Sequence, residues 1–223
     1  MKIENNIIKY YLRNVYFITG TAYAGKSTMV KLLAEKHDMI FCGENYHDTV
    51  AGAVKTPKKQ PALCYFETMS GWQEFINRTP DEYYNWICKT AVEAAEIEVA
   101  ELIKLSASGK KIIVDTNIPL EILHEITDFN HVAIMLSSQT MSVDHFFNRT
   151  DPEKQFLLEQ IAAAENPEKT MGNFRACIAK CNSPEEYDKF KNSGFFTIAR
   201  ENSDADTKAE VLLALEKHFG LLE

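Results

Sequence analysis

At 223 residues the chain is long enough to bury a sizeable core, in one large α/β domain or a core with an insertion. Its 45% hydrophobic and 25% charged content is ordinary for a soluble globular protein. A formal net charge of −8 and a pI near 5.3 have the wrong sign for coating nucleic acid, and no apolar run is long enough to span a bilayer.

The opening residues carry Lys2, Glu4 and Lys9 among apolar neighbours and do not read as a signal peptide. The five cysteines, Cys42, Cys64, Cys88, Cys177 and Cys181, are dispersed and odd in number, which points to reduced thiols in a cytoplasmic protein. Cys177 and Cys181 stand one helical turn apart and read as packing residues, not as metal ligands.

In chain order, Ile3 to Leu12 predicts a short helix with Ile7, Ile8, Tyr11 and Leu12 on its apolar side. A β-branched and aromatic run then ends at Gly20, and the spacing G-x-x-x-x-G-K-S follows from Gly20 to Ser27. A helical pattern from Lys26 to about His37 completes strand, glycine-bounded loop and helix, the context in which a P-loop match counts. The chemistry asks for these residue types. A triphosphate needs closely packed donors, so the loop turns backbone N–H groups inward. Gly20 leaves the strand in a conformation that side-chain-bearing residues avoid, and Gly25 makes room for phosphate. The phosphates lie at the positive end of the helix, within reach of Lys26, and the Ser27 hydroxyl can ligate Mg²⁺.

Met39 to Cys42 predicts a second buried strand, and Gly43-Glu44-Asn45-Tyr46-His47-Asp48 at its exit can accept protons or bind a hydroxyl. From Thr49 to Met69 the pattern breaks down around Gly52, Pro57 and Pro61, which predicts a mobile, functional segment. Aromatics gather around it: Tyr46, Tyr65, Phe66, Trp72, Phe75, Tyr83, Tyr84 and Trp86, as core or as the wall of an acceptor pocket. Thr79-Pro80-Asp81-Glu82 is a capping box opening a helix that runs to Ser108, with Gly109 as its stop. Its acidic run, Glu93, Glu96, Glu98 and Glu101, reads as a solvated face.

Lys110 to Asp115 predicts a strand ending in a carboxylate, the pattern of a strand whose Asp orients the Mg²⁺ shell, with Asn117 close by. A helix from Pro119 to Thr127 and a strand from His131 to Leu136 follow. Gln139 to Cys181 is a helical excursion: a helix over 137–148, one capped by Asp151, and one from Met171 to Lys180. Ser183-Pro184-Glu185-Glu186 is a second capping box, Phe195 to Ile198 the last strand, and Asp204 to Phe219 the last helix. Strands alternating with helices predict an α/β, three-layer fold on a mostly parallel five-stranded sheet, with ligands at the carboxyl ends of the strands. Every chemical candidate falls at such an end.

The segment Gly20 to Thr28, with Asp115 and the element order, resembles the P-loop small-molecule kinases, the group of adenylate, shikimate and gluconate kinases and chloramphenicol phosphotransferase. The resemblance implies one P-loop kinase-like domain over 1–223 and nucleotide binding by Gly20, Thr21, Ala22, Tyr23, Ala24, Gly25, Lys26, Ser27 and Thr28. It implies an acceptor segment over about 43–79 with Glu44, Asp48 and Arg78, and a helical lid over about 139–182 carrying Arg149 or Arg175. Many members have a further glycine where Ala24 stands. Nucleotide-acceptor members often place an arginine just after the third-strand Asp, where this chain has Asp115-Thr116-Asn117. The resulting expectation is a cytoplasmic phosphotransferase moving the γ-phosphoryl of Mg-ATP to a hydroxyl of a small metabolite or nucleoside. Catalysis would fall to Lys26, Asp115, Arg149, Glu44 and Asp48, with Ser27 and Asp115 holding Mg²⁺. A nucleoside monophosphate kinase and a nucleotide-binding switch remain the alternatives, although the N-K-x-D and D-x-x-G signatures of GTPase switches are missing. The acceptor, a choice between ATP and GTP, and the oligomeric state are left open.

Overall fold

The computed structural model describes residues 3–147, 152–200 and 206–222. A short helix α1 (Asn5–Tyr11) precedes β1 (Val15–Gly20), α2 (Lys26–Lys36) and β2 (Ile40–Cys42). Three short helices, α3 (Asp48–Val54), α4 (Tyr65–Thr68) and α5 (Trp72–Ile76), lead to the long α6 (Pro80–Ser106). Next come β3 (Ile112–Asp115), α7 (Leu120–Ile126), a single 3-10 turn and β4 (Val132–Leu136). Four helices, α8 (Gln139–His145), α9 (Pro152–Ala162), α10 (Pro167–Cys181) and α11 (Pro184–Lys191), separate β4 from β5 (Phe196–Ala199). The last helix is α12 (Lys208–His218).

The strands form one sheet in the order β2-β3-β1-β4-β5, and every pairing is parallel. Parallel strands need crossover connections, and the helices of those crossovers bury both faces. Side chains therefore alternate between two apolar layers. Val15, Phe17, Val114 and Ile134 meet Leu102 of α6 and Leu123 of α7, with Tyr187 and Phe190 of α11 against the same layer. Tyr16, Ile18, Ile113 and Met135 meet Val30 and Leu33 of α2 and Leu215 of α12. The crossover through α2 and the one through α11 thus leave β1 and β4 in opposite directions on opposite faces. The carboxyl ends of that adjacent pair form the switch point where ligands bind in open α/β sheets. A third apolar cluster lies off the sheet, where Phe75, Ile76 and Tyr83 pack with Leu157, Ile161, Phe174 and Cys177.

Several expected elements are corrected. The stretch 49–69 is not irregular: it holds α3 and α4, fixed by long-range bonds. Glu93 of α6 accepts the N–H of Ala62 (3.2 Å) and Leu63 (2.9 Å), and the Trp86 indole donates to the Ala62 carbonyl (3.1 Å). The acidic run of α6 is not a solvated face. Of its four members only Glu96 is exposed, and Glu98 is just 2% exposed. α10 begins earlier than Met171, because the Asn166 side chain caps it by accepting from the Lys169 N–H (3.1 Å) ahead of Pro167. The second capping box is half made: Ser183 caps α11, while Glu186 takes the Tyr84 hydroxyl at 2.5 Å instead of reaching back. The box at Thr79 and Glu82 is complete. The expected cap Asp151 and the expected start of the last helix at Asp204 lie outside the described residues. Among the described residues, no helix is long and apolar enough to cross a membrane.

Candidate functional site at the carboxyl ends of the strands

The loop after β1 is shaped by its contact with β4. Gly20 has φ +132°, and a Cβ there would fall 2.0 Å from the Met135 carbonyl oxygen, so no side chain fits. The Thr21 N–H donates to that same carbonyl at 3.1 Å. The Thr21 hydroxyl accepts the Ser137 N–H at 2.6 Å. Ala22 is held on both sides of its backbone. Its N–H donates to the Asn182 side-chain oxygen at 3.2 Å, and its carbonyl accepts from the hydroxyls of Ser137 (2.5 Å) and Ser142 (3.0 Å). Residues from β4, α8 and the end of α10 therefore set the path of the loop.

Besides its glycines, the loop places Tyr23 in the left-handed region, with φ +63°. A side chain in this region is strained, so a glycine at position 23 would relieve the backbone there. Tyr23 is fixed by its hydroxyl, which donates to the His145 carbonyl, and by its own carbonyl, which accepts from Arg200 at 3.1 Å. Ala24 is buried against the sheet.

Gly25, at φ +92°, caps α2 without a side chain, and the first bond within the helix runs from the Met29 N–H to the Gly25 carbonyl. The N–H groups of Lys26, Ser27 and Thr28 accordingly have no partner within the helix and face outward at its positive end. The Lys26 ammonium folds back over the loop, donating to the carbonyls of Thr21 (3.1 Å) and Gly20 (3.4 Å). The Ser27 hydroxyl donates to Asp115 Oδ2 at 2.6 Å, across the adjacent β1 and β3. Asp115 is 1% exposed, so the exposed Ser27 covers a buried carboxylate from the solvent side. A hydroxyl and a carboxylate are the hard oxygen donors that suit Mg²⁺.

Beside the loop lies a cleft of about 420 Å³ between the starts of α2 and α12 and the ends of β4 and β5. Ala24, Met29, Met135, Ile198 and Val211 line it with apolar groups, and Arg200, Asp206 and Lys208 with charged ones. Sequence reasoning did not find it, because its walls come from four separate elements.

On the other side of β1, the exits of β2 and β3 are tied together. The Asn117 amide donates to Glu44 at 3.1 Å. Glu44 and Asp48 are both exposed, and Asp48 occupies the first turn of α3. Beneath them is Glu98, which sequence reasoning missed. It accepts from the Thr116 hydroxyl (2.7 Å) and the Tyr46 hydroxyl (3.3 Å), and lies 4.0 Å from His47 Nδ1. Burial pushes its carboxyl up to about 7, against the pull of the bonds from Thr116 and Tyr46, with the charges of Glu44 and Asp115 adding to the rise. Burial also lowers the His47 imidazole and raises the Tyr46 phenol. The available signal was helical phase, since Ala94, Glu98 and Leu102 fall on one buried stripe.

Two expected residues are not part of this group. Arg78 lies in the third apolar cluster, its guanidinium 3.7 Å above the centre of the Tyr65 ring and 5.4 Å from that of Trp86. Tyr65, Phe66, Trp72, Phe75, Tyr83 and Trp86 pack on one another, and three of them, Tyr65, Phe75 and Trp86, on this arginine: Phe66 stacks with Trp72, and Phe75 meets Trp86 edge-on. Arg175 stands on the exposed face of α10, opposite the buried Phe174 and Cys177. Arg149 lies outside the described residues.

Fold and site together define an α/β protein whose polar groups converge where β1 meets β3 and β4. No protein-family model, no curated protein and no solved structure matches the chain.

Proposed function

We propose that the chain is an ATP-dependent phosphotransferase that delivers a phosphoryl group to a hydroxyl of a small metabolite or nucleoside, in the manner of the P-loop kinases. The observation that carries this reading is the Ser27–Asp115 hydrogen bond, which sets a hard-oxygen pair beside the uncapped start of α2 and the Lys26 ammonium. The N–H groups of the first turn of α2 would bind the triphosphate, and Gly25 leaves them open: among the described residues a Cβ there would meet only Met135 Cε, at 3.8 Å. Lys26 would release the loop carbonyls and turn to the phosphate oxygens. Ser27 and Asp115 would hold Mg²⁺, which supplies positive charge against the phosphates. The cleft, with Met29, Met135 and Ile198 on its apolar walls and Thr28, Arg200, Asp206 and Lys208 supplying polar groups, would take the base and sugar of the nucleotide.

Glu44 and Asp48 would orient or deprotonate the acceptor hydroxyl at the neighbouring strand ends. The helices α8 to α10, rooted on Ala22 through Ser142 and Asn182, would close over the phosphates and exclude water. Catalysis of this type is mainly positioning and electrostatics. The absence of an arginine after Asp115 favours an alcohol over a phosphate-bearing acceptor. The reading includes a cytoplasmic setting, where ATP and free thiols coexist.

The test is ATP consumption with Mg²⁺, measured with and without a panel of alcohols, sugars, nucleosides and nucleoside monophosphates. A kinase consumes ATP only when its acceptor is present. ATP turnover that ignores every acceptor, or no ATP binding, would sink the reading.

A further inference from the structure

Glu98 has no role in the phosphotransfer scheme above, yet it is a buried acid whose partners sit at the exits of both β2 and β3. A carboxyl group buried in the middle of a helix is unfavourable unless its oxygens are satisfied, and a well-packed apolar residue of similar size is often at least as stable there. Its neighbours show what it connects. Oε2 accepts from the Thr116 hydroxyl, directly after Asp115, and from the Tyr46 hydroxyl, two residues from Glu44. The Thr116 hydroxyl in turn accepts the Ile118 N–H at 3.0 Å, which bends the chain so that the Asn117 amide reaches Glu44. Oε1 faces His47 Nδ1 at 4.0 Å. That nitrogen is buried, has no hydrogen-bond partner among the described residues, and belongs to the N-cap residue of α3, next to Asp48.

We infer that Glu98 is a positioning residue, resting on the phosphotransferase reading: it fixes the Glu44–Asp48 segment relative to the Asp115–Asn117 segment, and so sets the acceptor's place relative to the phosphates. It touches neither substrate. It acts through Tyr46, His47 and Thr116 on the two strand exits at once, whereas the nucleotide side of the site is set by Met135, Ser137, Ser142 and Asn182. The path of the loop after β1 thus rests on a different set of buried contacts from the one Glu98 joins, which lies where the Glu44–Asp48 segment meets the exit of β3.

The test compares Glu98→Met, which keeps the volume but removes both side-chain acceptors and leaves Tyr46 only the backbone carbonyl of position 98 (3.3 Å), with Glu98→Gln, which keeps an amide oxygen for Thr116 and Tyr46. Amide hydrogen exchange is measured first, because it needs no turnover. In Glu98→Met, exchange should quicken over 43–50 and 116–118 and stay unchanged over 20–28, and Glu98→Gln should restore it. With the acceptor in hand, Glu98→Met should raise the acceptor KM at least tenfold while the ATP KM stays within twofold, and Glu98→Gln should recover most of that loss. Exchange in Glu98→Met that matches the wild type, or a rise in both KM values together, overturns the inference. A wild-type protein inert towards every acceptor defeats the phosphotransferase reading, and the exchange pattern then decides alone whether Glu98 ties the two segments together.

Discussion

The Ser27 hydroxyl lies 2.6 Å from Asp115 Oδ2, although 88 residues separate the two in the chain. Register explains the meeting. β1 and β3 pair in parallel with Ile18 opposite Asp115, so the residue that ends β3 stands under the first turn of the helix that follows β1. On the phosphotransferase reading this pair and Lys26 form one unit. Ser27→Ala, Asp115→Asn and Lys26→Ala should each lower acceptor-dependent ATP consumption by a factor on the order of 10² or more. Each should leave far-UV circular dichroism unchanged. A Lys26→Ala protein with wild-type turnover would remove the basis of the assignment.

Two glycines of the same loop should respond differently to one methyl group. At Gly20 a Cβ would fall 2.0 Å from a backbone oxygen of β4, which cannot move without breaking the β1–β4 ladder. Gly20→Ala should therefore cost about 3 kcal/mol or more. At Gly25 the space is open, and only the left-handed backbone at φ +92° resists. Gly25→Ala should cost about 1–2 kcal/mol. Urea unfolding of both variants gives the comparison, and equal losses would contradict the geometry.

Why some of this was legible in the sequence and some was not follows from how local each feature is. Gly20, Gly25, Lys26 and Ser27 are a few residues apart, and their backbone needs are written in their types and spacing. The capping box at Thr79 and the carboxylate ending β3 are local in the same sense. At Glu98 composition and phase disagree: an acidic run suggests solvent, but Ala94 and Leu102 one turn away place Glu98 inside. Asn182, Ser137 and Ser142 carry no local signal at all. They matter only because the β4–α8 and α10–α11 junctions come to rest on Ala22. Arg78 is pointed to by the family resemblance, and in the fold its neighbours are rings from α4, α5 and α6.

The raised Glu98 carboxyl makes stability depend on pH in a definite direction. Its folded value of about 7 lies above the ordinary 4.5, so the folded protein holds a proton that the unfolded chain releases between those values. The stabilisation linked to that proton is complete below about pH 4.5 and is lost as pH rises through 7, to a total of about 3 kcal/mol. Glu98→Gln cannot ionise. The variant should gain stability relative to the wild type on going from pH 5 to pH 8, read from urea midpoints at the two values. A difference that stays constant across that range would show that Glu98 titrates normally.

Asn182 supplies the last test, because it joins the helical excursion to the loop at a single backbone group. Its side-chain oxygen accepts the Ala22 N–H, and its amide donates to the Ile178 carbonyl at 2.9 Å, closing the end of α10. Asn182→Ala leaves the Ala22 N–H without its acceptor and frees the loop from α10, at about 1–2 kcal/mol of stability. Asn182→Asp keeps an acceptor for Ala22, loses the donor to Ile178, and adds a negative charge beside a loop proposed to receive phosphates. On the phosphotransferase reading, Asn182→Ala should therefore weaken ATP binding by loosening the loop. Asn182→Asp should weaken it further, in a manner relieved by salt, since the added term is a charge repulsion screened over about 10 Å at 0.1 M. Calorimetric titration with a non-hydrolysable ATP analogue at low and high salt separates the two effects. Equal, salt-independent affinities for both variants and the wild type would mean that the phosphates bind away from this loop.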